Sequence, residues 1–345
     1  MFKLNTCQQI YPILLIKSIG KKSFQSLGEI VGKVGKTIKR WMKPSDQIFK
    51  ENIAIAKWLF ANKKTLYLSI DDTLIHKLYS KIMQGTGWFY DSKIGKDLIS
   101  FKLLCAAIGD SRCLIPVAAL FLFDKNLCDT EIKSRDDIVK SIIISVLSAF
   151  KDKKVIVVMD GLFATIDILS WAAKNGIKVE VRMHSNRKIK YQGKSMRIRD
   201  INRLIPHGKH YARTISAEWH GIMLDITGHR RVDKHGNETI VYQAATYQVT
   251  ASYHVNVYTK RWPIEKCFRT CKQQLGLKDC YSTKIDVQLN HVASVFQAYA
   301  LVQLEMKKHK FETPEQTIRF LKTKNVNFFN KLIASLDQIF EVAYA

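Results

Sequence analysis

Two short apolar runs, each followed at once by aspartate, constrain the fold of this chain most strongly. Residues 65–70 are Thr-Leu-Tyr-Leu-Ser-Ile and precede Asp71 and Asp72, and residues 155–159 are Val-Ile-Val-Val-Met and precede Asp160. A continuous apolar run of this kind is typical of a central strand that is buried on both faces. A carboxylate at the end of such a strand is costly unless it is solvated or binds a cation. The pattern therefore predicts an α/β sheet with acids at the ends of two strands.

The segment between these runs predicts two further strands and a helix. Apolar runs at 98–108 and 113–123 flank a polar turn at 109–112, which is typical of a β-hairpin. Residues 135–150 then carry apolar side chains at helical spacing. The resulting order is a three-stranded meander, a helix and a strand, which favours an α/β fold.

Changes of pattern divide the chain into four regions. Residues 1–62 have a helical pattern, and residues 63–175 hold the strands and the helix described above. Residues 176–252 contain alternating segments between basic, glycine-containing loops, and residues 253–345 are helical again. The third region predicts a β-rich insertion within an α/β core.

Residues 23–41 are a candidate DNA-binding element. Two short helical stretches surround a glycine-bearing break at 32–35, and the second stretch contains Lys36, Lys39 and Arg40. This arrangement is typical of a helix-turn-helix, but an ordinary basic helical hairpin has the same pattern. Both interpretations stay open, and the first makes the three cations candidate DNA contacts.

The net charge indicates the class of partner. The 345 residues include 55 Lys and Arg against 30 Asp and Glu, a formal net charge of +25, and 47% of them are hydrophobic. A folded body with this charge favours nucleic acid as its partner, with an anionic membrane second. So much apolar material excludes a disordered basic tail. Because no uncharged stretch is long enough to span a bilayer, we expect no membrane partner.

The seven cysteines and the missing nucleotide motifs narrow the class further. There is no Cys-x-x-Cys pair, so neither a zinc ribbon nor a disulfide framework is indicated. Cys267 and Cys271 are one helical turn apart, which is typical of packed thiols. Reduced thiols and an N-terminus unlike a signal peptide predict a cytoplasmic protein. With no Walker loop or Gly-x-Gly-x-x-Gly motif, we expect no nucleotide cofactor.

A basic helical stretch near the end of the β-rich region offers a third acid. At 100° per residue, Glu265 and Lys272 share a helix face with Arg261 if the helix begins early enough. Pro263 is tolerated there only in the first helical turn. Such a face suits a phosphate beside a metal ion, and carboxylate ligands suit Mg²⁺ or Mn²⁺. An amphipathic surface helix with ion pairs is the commoner case on helix geometry alone.

The spacing Tyr258-x2-Arg261-x3-Glu265-x6-Lys272 resembles the Y-R-E-K signature of bacterial DDE transposases of insertion sequence family four. The Asp–Asp–Glu order, with a β-rich insertion between the second and third acids, is similar too. The resemblance covers roughly residues 64–280. It implies a ribonuclease-H-like (retroviral-integrase-like) catalytic core, interrupted by the β-rich insertion and flanked by helical N- and C-terminal regions.

The resemblance also implies the site residues. Asp72, Asp160 and Glu265 would be the catalytic triad that binds Mg²⁺ or Mn²⁺, in a site for two ions. Asp72 is chosen because the family places its first acid directly before a threonine, and Asp71 is the alternative, with a supporting role.

Three further residues would contact DNA phosphates near the cleaved strand, namely Tyr258, Arg261 and Lys272. Some relatives stack a flipped base on a tryptophan of the insertion. Trp219 is the candidate for that role here, and packing in the protein interior is the favoured alternative.

The implied activity is cut-and-paste DNA transposition, that is, metal-dependent strand cleavage at the element ends and strand transfer into target DNA. The expected partner is double-stranded DNA, both terminal inverted repeats and target, bound by a homodimer in the bacterial cytoplasm and associated with the nucleoid. One alternative is a metal-dependent nuclease of the same fold that cuts without joining. Another is a non-catalytic DNA-binding descendant of a transposase, against which the presence of all three acids argues.

Overall fold

The computed structural model describes most of the chain, namely residues 7–20, 22–78, 80, 83–123, 134–206, 211–232 and 235–344. The described part is a mixed α/β structure with a large sheet and helices. It divides into two compact units. The first unit takes in residues 1–63, 72–132 and 263–345, and the second takes in residues 64–71 and 133–262.

The elements are numbered in chain order. The described helices are α1 (Cys7–Lys17), α2 (Phe24–Val31), α3 (Gly35–Arg40), α4 (Ser45–Leu59), α5 (Arg135–Ala149), α6 (Ile166–Lys174), α7 (Ala251–Tyr258), α8 (Trp262–Gln273), α9 (Ile285–Lys308), α10 (Pro314–Thr323) and α11 (Val326–Tyr344). The described strands are β1 (Thr65–His76), β2 (Gly87–Asp91), β3 (Lys96–Gly109), β4 (Leu114–Leu122), β5 (Lys154–Met159), β6 (Val179–Met183), β7 (Lys188–Tyr191), β8 (Lys194–Arg197), β9 (Ala212–Trp219), β10 (Ile222–Val232) and β11 (Glu238–Ala245). Short 3₁₀ turns cover Gly161–Phe163, Ile198–Leu204 and Thr259–Arg261.

Antiparallel strands form the sheet of the first unit. Strand β3 pairs with β2 through its first residues and with β4 through the rest, and the second half of β1 flanks β3 on the side opposite β2. In the turn between β3 and β4, the Asp110 carboxylate accepts hydrogen bonds from the backbone N–H groups of Arg112 and Cys113. The hairpin predicted from the two apolar runs is confirmed.

Helix α9 is the centre of the core of the first unit. All of its residues from His291 to Met306 are buried, which is typical of a helix surrounded by neighbours. It packs against α1, α4, α10 and β4. The buried Glu51 carboxylate accepts hydrogen bonds from Lys43 at 2.5 Å and from Gln297 of α9. Neither α9 nor any other helix of the described residues is both long and apolar enough to span a membrane.

Helices α2 and α3 confirm the two short helical stretches predicted around a glycine turn. Gly32 ends α2 in the left-handed conformation, with φ of 63°, and α3 begins at Gly35. Lys36 and Arg40 are exposed and Lys39 is half-buried. DNA contact by these three cations stays a prediction.

Parallel and antiparallel strands share the sheet of the second unit. The first half of β1 pairs in parallel with β5, from Thr65↔Lys154 to Ile70↔Met159, and β5 pairs in parallel with β6. Beyond β6 the strands are antiparallel, in the order β11, β10, β9, β7 and β8. Every residue of β5 after Lys154 is buried, so the predicted buried central strand is confirmed.

One predicted boundary is wrong. Strand β1 does not end at the aspartates but continues to His76, because its second half flanks β3 beyond the residues that pair with β5. The helical C-terminal part, expected from residue 253, begins with α7 at Ala251, where the Thr250 hydroxyl caps the helix by accepting a hydrogen bond from the Tyr253 N–H. The placement of Pro263 in the first turn of a helix is confirmed.

The cysteines of α8 are packed thiols, as their helical spacing predicts. Cys267 and Cys271 are free and buried, and their Sγ atoms lie 3.9 Å apart.

Gly28 lies where α2 and the turn after it come close together. A Cβ atom at this position would lie 2.1 Å from the carbonyl oxygen of Lys33, so a larger residue forces the turn to move. We expect Gly28→Ala to lower the free energy of unfolding by about 2 kcal/mol or more, as measured by urea denaturation. Gln25→Ala, at an exposed position of the same helix, is the control. Equal stability of the two variants would contradict this close approach.

Candidate active site

The helical segment formed by α7, the 3₁₀ turn and α8 carries the four residues of the predicted signature. In the second unit, Val257 and Tyr258 at the end of α7 pack on Ile156 and Val158 of β5. This apolar contact holds the end of α7 against the sheet. The same strand leads directly to Asp160.

Arg261 binds the first member of the pair Asp71 and Asp72. Its Nη1 atom donates a hydrogen bond to Asp71 Oδ2 at 3.1 Å, and both side chains are largely buried. Two residues earlier on β1, the Ser69 hydroxyl donates to the carbonyl oxygen of Lys260 at 3.2 Å. The turn that precedes α8 is thus tied to β1 by one ion pair and one hydrogen bond.

Asp71 and Asp160 directly follow the last registered pair of two neighbouring parallel strands. That pair is Ile70 and Met159, and successive side chains along each strand alternate between the two faces of the sheet. Asp160 is half-buried and is the first residue of the turn that leads into Gly161–Phe163. The register therefore brings two carboxylates to neighbouring positions after β5 and the first half of β1.

Tyr258 stands among charged side chains of the second unit. Burial raises the pKa of its hydroxyl, and the charges of Arg261 and Arg182 oppose this while that of Asp160 adds to it. The Arg261 guanidinium lies over the ring of Tyr258, 5.7 Å from the centroid. Tyr258 is therefore a neutral hydroxyl at physiological pH, able to donate a hydrogen bond to an anion.

In the first unit, α8 brings Lys272 to β1. Lys272 Nζ donates a hydrogen bond to Thr73 Oγ1 at 2.7 Å. Burial lowers the pKa of Lys272 to about 8, and the nearby charge of Lys93 acts in the same direction. A bound anion would favour the charged form of this lysine again. Next to Thr73 in sequence, the Asp72 carboxylate lies 3.3 Å from Nζ of Lys102 on β3.

Glu265 lies in the first turn of α8 and is half-buried. The segment carries an apolar stripe whose members are all buried: Ile264, Cys267, Phe268, Cys271 and Leu275. Packing of the stripe fixes the rotation of α8 about its axis. Glu265 is left on the more open side of the helix.

Asp71 and Asp72 are not equivalent, because neighbouring residues of a strand point to opposite faces. Asp71 has Arg261 as its partner, whereas Asp72 has Lys102. These contacts favour Asp71 as the acid that accompanies Asp160. The argument for Asp72 is its position directly before a threonine.

A divalent cation would find suitable donors among these acids. Asp71 and Asp160 come directly after the last registered pair of β1 and β5, and carboxylate oxygens are hard ligands that suit Mg²⁺ or Mn²⁺. Within the described ranges, no three His, Cys, Asp or Glu side chains are grouped so as to hold a metal ion. The chemistry of the donors fits a divalent cation, and the identity of the complete ligand set stays a prediction.

Trp219 packs inside the second unit. Its side chain is 5% exposed, and the Arg187 guanidinium covers the ring, 4.9 Å from a ring centroid. Both residues line a cavity of about 640 Å³ together with Lys188, Lys190 and His220. The contacts favour the packing role of Trp219, and base stacking by this residue stays a prediction.

A buried polar network joins α7 to the sheet of the second unit. The Glu180 carboxylate of β6 accepts a hydrogen bond from the Tyr247 hydroxyl at 2.5 Å, and its other oxygen lies 3.7 Å from Nε2 of His254 on α7. Nδ1 of His254 shares a hydrogen bond of 2.8 Å with the Thr227 hydroxyl. Burial raises the pKa of Glu180 to about 8 and lowers that of His254 to about 3. Both groups are therefore mainly neutral at pH 7.

Sequence reasoning missed three cations that act on residues of the predicted site, namely Lys93, Lys102 and Arg182. Arg182 had a sequence signal, since it lies on the strand that follows β5 and parallel strands of an α/β sheet are often neighbours. Lys93 and Lys102 had none, because the β2–β3 hairpin that carries them is placed by pairing with β1, which no local pattern reveals.

One family model matches the chain. Residues 136–301, just under half of the chain, match the model of the transposase DDE domain. The matched range includes Asp160 and the whole of the segment from Tyr258 to Lys272, and it does not reach the Asp71–Asp72 pair. The match supports a DDE transposase, and membership of the Y-R-E-K group stays a prediction.

A weak likeness to a solved structure adds no argument. The chain is similar to the Mos1 strand transfer complex with 9% identity and a TM-score of 0.19, over 50% of this chain and 56% of that chain. The likeness thus spans little more than half of that protein. No curated protein matches the chain.

The Glu180 network predicts a pH-dependent effect on stability. Between about pH 4.5 and 8 the folded state keeps a proton on Glu180 that the unfolded state loses, so the contribution of this group to stability falls as the pH rises. We expect Glu180→Gln, which imitates the protonated acid, to be more stable than the wild type by no more than about 1 kcal/mol at pH 5. At pH 8 the gain should rise to roughly 4 kcal/mol.

Denaturant unfolding at pH 5 and pH 8 measures this difference. Glu312→Gln, which changes an exposed glutamate, is the control and should show no pH-dependent gain. A loss of stability in Glu180→Gln that grows with pH would mean that Glu180 is ionised in the folded protein.

Proposed function

We propose that this chain is a DDE transposase of the Y-R-E-K group, insertion sequence family four, which cleaves DNA at the ends of its element and transfers the freed strand into target DNA. The observation that carries the proposal is the ion pair between Arg261 of the signature and Asp71. Asp71 and Asp160 each come directly after the last registered pair of β1 and β5, Ile70 and Met159. Asp71 and Arg261 are far apart in sequence but in contact in the second unit. Two residues that act on the same phosphate must lie close together in this way.

The fold proposed for this function is ribonuclease-H-like. Its support is the antiparallel meander of β1, β3 and β4 in the first unit and the parallel strands β1, β5 and β6 in the second. The antiparallel strands β7 to β11 and their loops fill most of the interval from residue 176 to 252, where the insertion is proposed.

The proposed metal ligands are Asp160, Glu265 and one acid of the pair Asp71 and Asp72. Two Mg²⁺ or Mn²⁺ ions bound there would activate the attacking oxygen and stabilise the leaving 3′ oxygen of a phosphodiester. All of the proposed ligands are carboxylates, which are the hard, anionic donors that such ions prefer. This choice of ligands supports the proposal.

The cations and the tyrosine of the signature are proposed to bind and orient the DNA phosphate. Arg261 carries a guanidinium whose planar fork of donors suits phosphate oxygens, and its hydrogen bond to Asp71 holds it beside the acids. Lys272, held by Thr73, gains its full charge when an anion binds. Tyr258 supplies a neutral hydroxyl. These groups would offset the charge that develops on the phosphate in the transition state.

Double-stranded DNA is the proposed partner, as terminal inverted repeats and as target, bound by a homodimer. The net charge of +25 supports a polyanionic partner. Exposed Lys36 and Arg40 on α3 support a DNA contact there, with Lys39 beside them. Trp219 lines a cavity together with the cations Arg187, Lys188 and Lys190. These cations are the support for a DNA contact by Trp219.

Loss of a carboxylate should abolish cleavage and spare binding. We expect Asp160→Asn and Glu265→Gln each to lower metal-dependent cleavage at least about 1000-fold, because a ligand is lost while the basic surface is unchanged. The measurement is cleavage of labelled DNA from the ends of the element, with Mn²⁺, with Mg²⁺ and with EDTA, beside a gel-shift assay.

Asp152→Asn, at an exposed position, is the matched control and should cleave like the wild type. Binding without cleavage by the wild-type protein would favour a DNA-binding descendant. Cleavage without joining of the product strand to target DNA would favour a nuclease of the same fold.

The two neighbouring aspartates can be told apart by one pair of variants. From the contact with Arg261 and the register with Asp160, we expect Asp71→Asn to abolish cleavage and Asp72→Asn to lower it less than tenfold. The same cleavage assay measures both. The reverse result would assign the first acid to Asp72, in line with its position before Thr73.

Lys272 should make DNA binding depend on pH. Because its pKa is about 8 without DNA and a bound phosphate favours the charged form, raising the pH from 7 to 9 should weaken DNA affinity about tenfold. Lys272→Arg should remove this change. Lys331→Gln, at an exposed position of α11, is the control and should keep it. Equal pH dependence of the wild type and Lys272→Arg would contradict a phosphate contact by Lys272.

A further inference from the structure

Strand β2 presents two large aromatic side chains to solvent. Trp88 and Tyr90 are each 64% exposed, and as residues i and i+2 of one strand they lie on the same face. In the described part of the chain, no strand pairs with the outer edge of β2. Exposed aromatic residues on a free edge strand are a liability for a soluble protein unless something binds them.

Positive charge surrounds the end of this strand. Lys93, in the turn after β2, and Lys278 both disfavour the charged form of Lys272, and the nearby Asp91 offsets part of this effect. The acid of this turn is already engaged, because Asp91 lies 2.9 Å from Nε2 of His76 and accepts a hydrogen bond from the Lys93 N–H. The lysines thus form a local excess of positive charge within the first unit, which a polyanion would relieve.

The spacing of the two rings favours single-stranded over double-stranded nucleic acid as the ligand. Residues i and i+2 of a strand are about 6.6 Å apart, since each residue adds about 3.3 Å. Stacked bases in a duplex repeat every 3.4 Å along each strand, so two neighbouring paired bases cannot each occupy one of these rings. Two successive unpaired bases, drawn apart along a single strand, can do so.

We propose that Trp88 and Tyr90 form a stacking surface for two unpaired nucleotides of the DNA, beside the phosphate that Lys272 binds. This inference rests on the proposed function, because a DNA-cleaving enzyme must bind the strand on either side of the phosphate that it cuts. The aromatic faces supply affinity that does not depend on base identity. The lysines at 93, 272 and 278 hold the backbone of the same nucleotides.

Binding of two DNA probes tests the stacking surface. One probe is a duplex with a five-nucleotide single-stranded extension, and the other is the same duplex with blunt ends. Affinities are measured by fluorescence anisotropy for the wild type, Trp88→Ala, Tyr90→Ala and Trp88→Phe. We expect each alanine variant to lose at least about fivefold in affinity for the extended probe, the lower end of what a stacked base contributes. Affinity for the blunt probe should stay within twofold, and Trp88→Phe should keep most of the wild-type affinity.

Tyr281→Ala is the matched control, because Tyr281 is 59% exposed in the same unit and has no place in the proposed surface. Thermal unfolding checks that every variant folds, and light scattering gives the oligomeric state. Unchanged binding of the extended probe by both alanine variants overturns the proposal. A switch from dimer to monomer, with equal losses on both probes, also overturns it and assigns the face to a second copy of this chain.

The outcome can be separated from that of the proposed function. If the wild type prefers the extended probe but never cleaves, the transposase proposal fails and the stacking surface stands. If it cleaves and joins DNA but Trp88→Ala and Tyr90→Ala bind normally, only the stacking surface fails. A wild type that binds neither probe overturns both.

Discussion

Parallel pairing between β5 and the first half of β1 positions the acids of the second unit. The paired residues end at Ile70 and Met159, and β5 is buried from Val155 onward. Backbone polar groups there are satisfied within the sheet, so a carboxylate just beyond it needs a partner of its own. Asp71 finds one in Arg261. The register of two apolar strands thus decides where the charged chemistry can lie.

The helical segment of α7, the 3₁₀ turn and α8 depends on two kinds of contact with its surroundings. Val257 and Tyr258 of α7 make apolar contacts with β5. The buried network of Glu180 and His254 adds polar contacts between α7 and the sheet of the second unit. Both groups of the network are mainly neutral at pH 7. Burial of a neutral acid costs far less than burial of its ion, which explains how the network is tolerated under a helix that carries signature residues.

Electrostatic strain distinguishes the region around Lys272 from an ordinary basic surface. This lysine is half-buried against β1 with other lysines nearby, and its pKa is lowered to about 8. A stable protein has no need of such an arrangement, since a neutral side chain would pack there at lower cost. An anionic ligand reverses the balance, because it stabilises the charge that the protein alone disfavours.

The sequence by itself determined the elements and the chemical candidates. Apolar runs predicted the hairpin of β3 and β4 and the buried strand β5, because both depend on the local pattern of apolar and polar residues. The resemblance to the Y-R-E-K signature singled out Arg261 and Lys272. Only the tertiary structure decided that β1 runs past the aspartates, that Asp71 rather than Asp72 contacts Arg261, and that Glu180 is buried as a neutral acid. Each of these features depends on which strand or helix packs against the residue concerned. Contacts between segments distant in sequence cannot be predicted from the local pattern of apolar and polar residues.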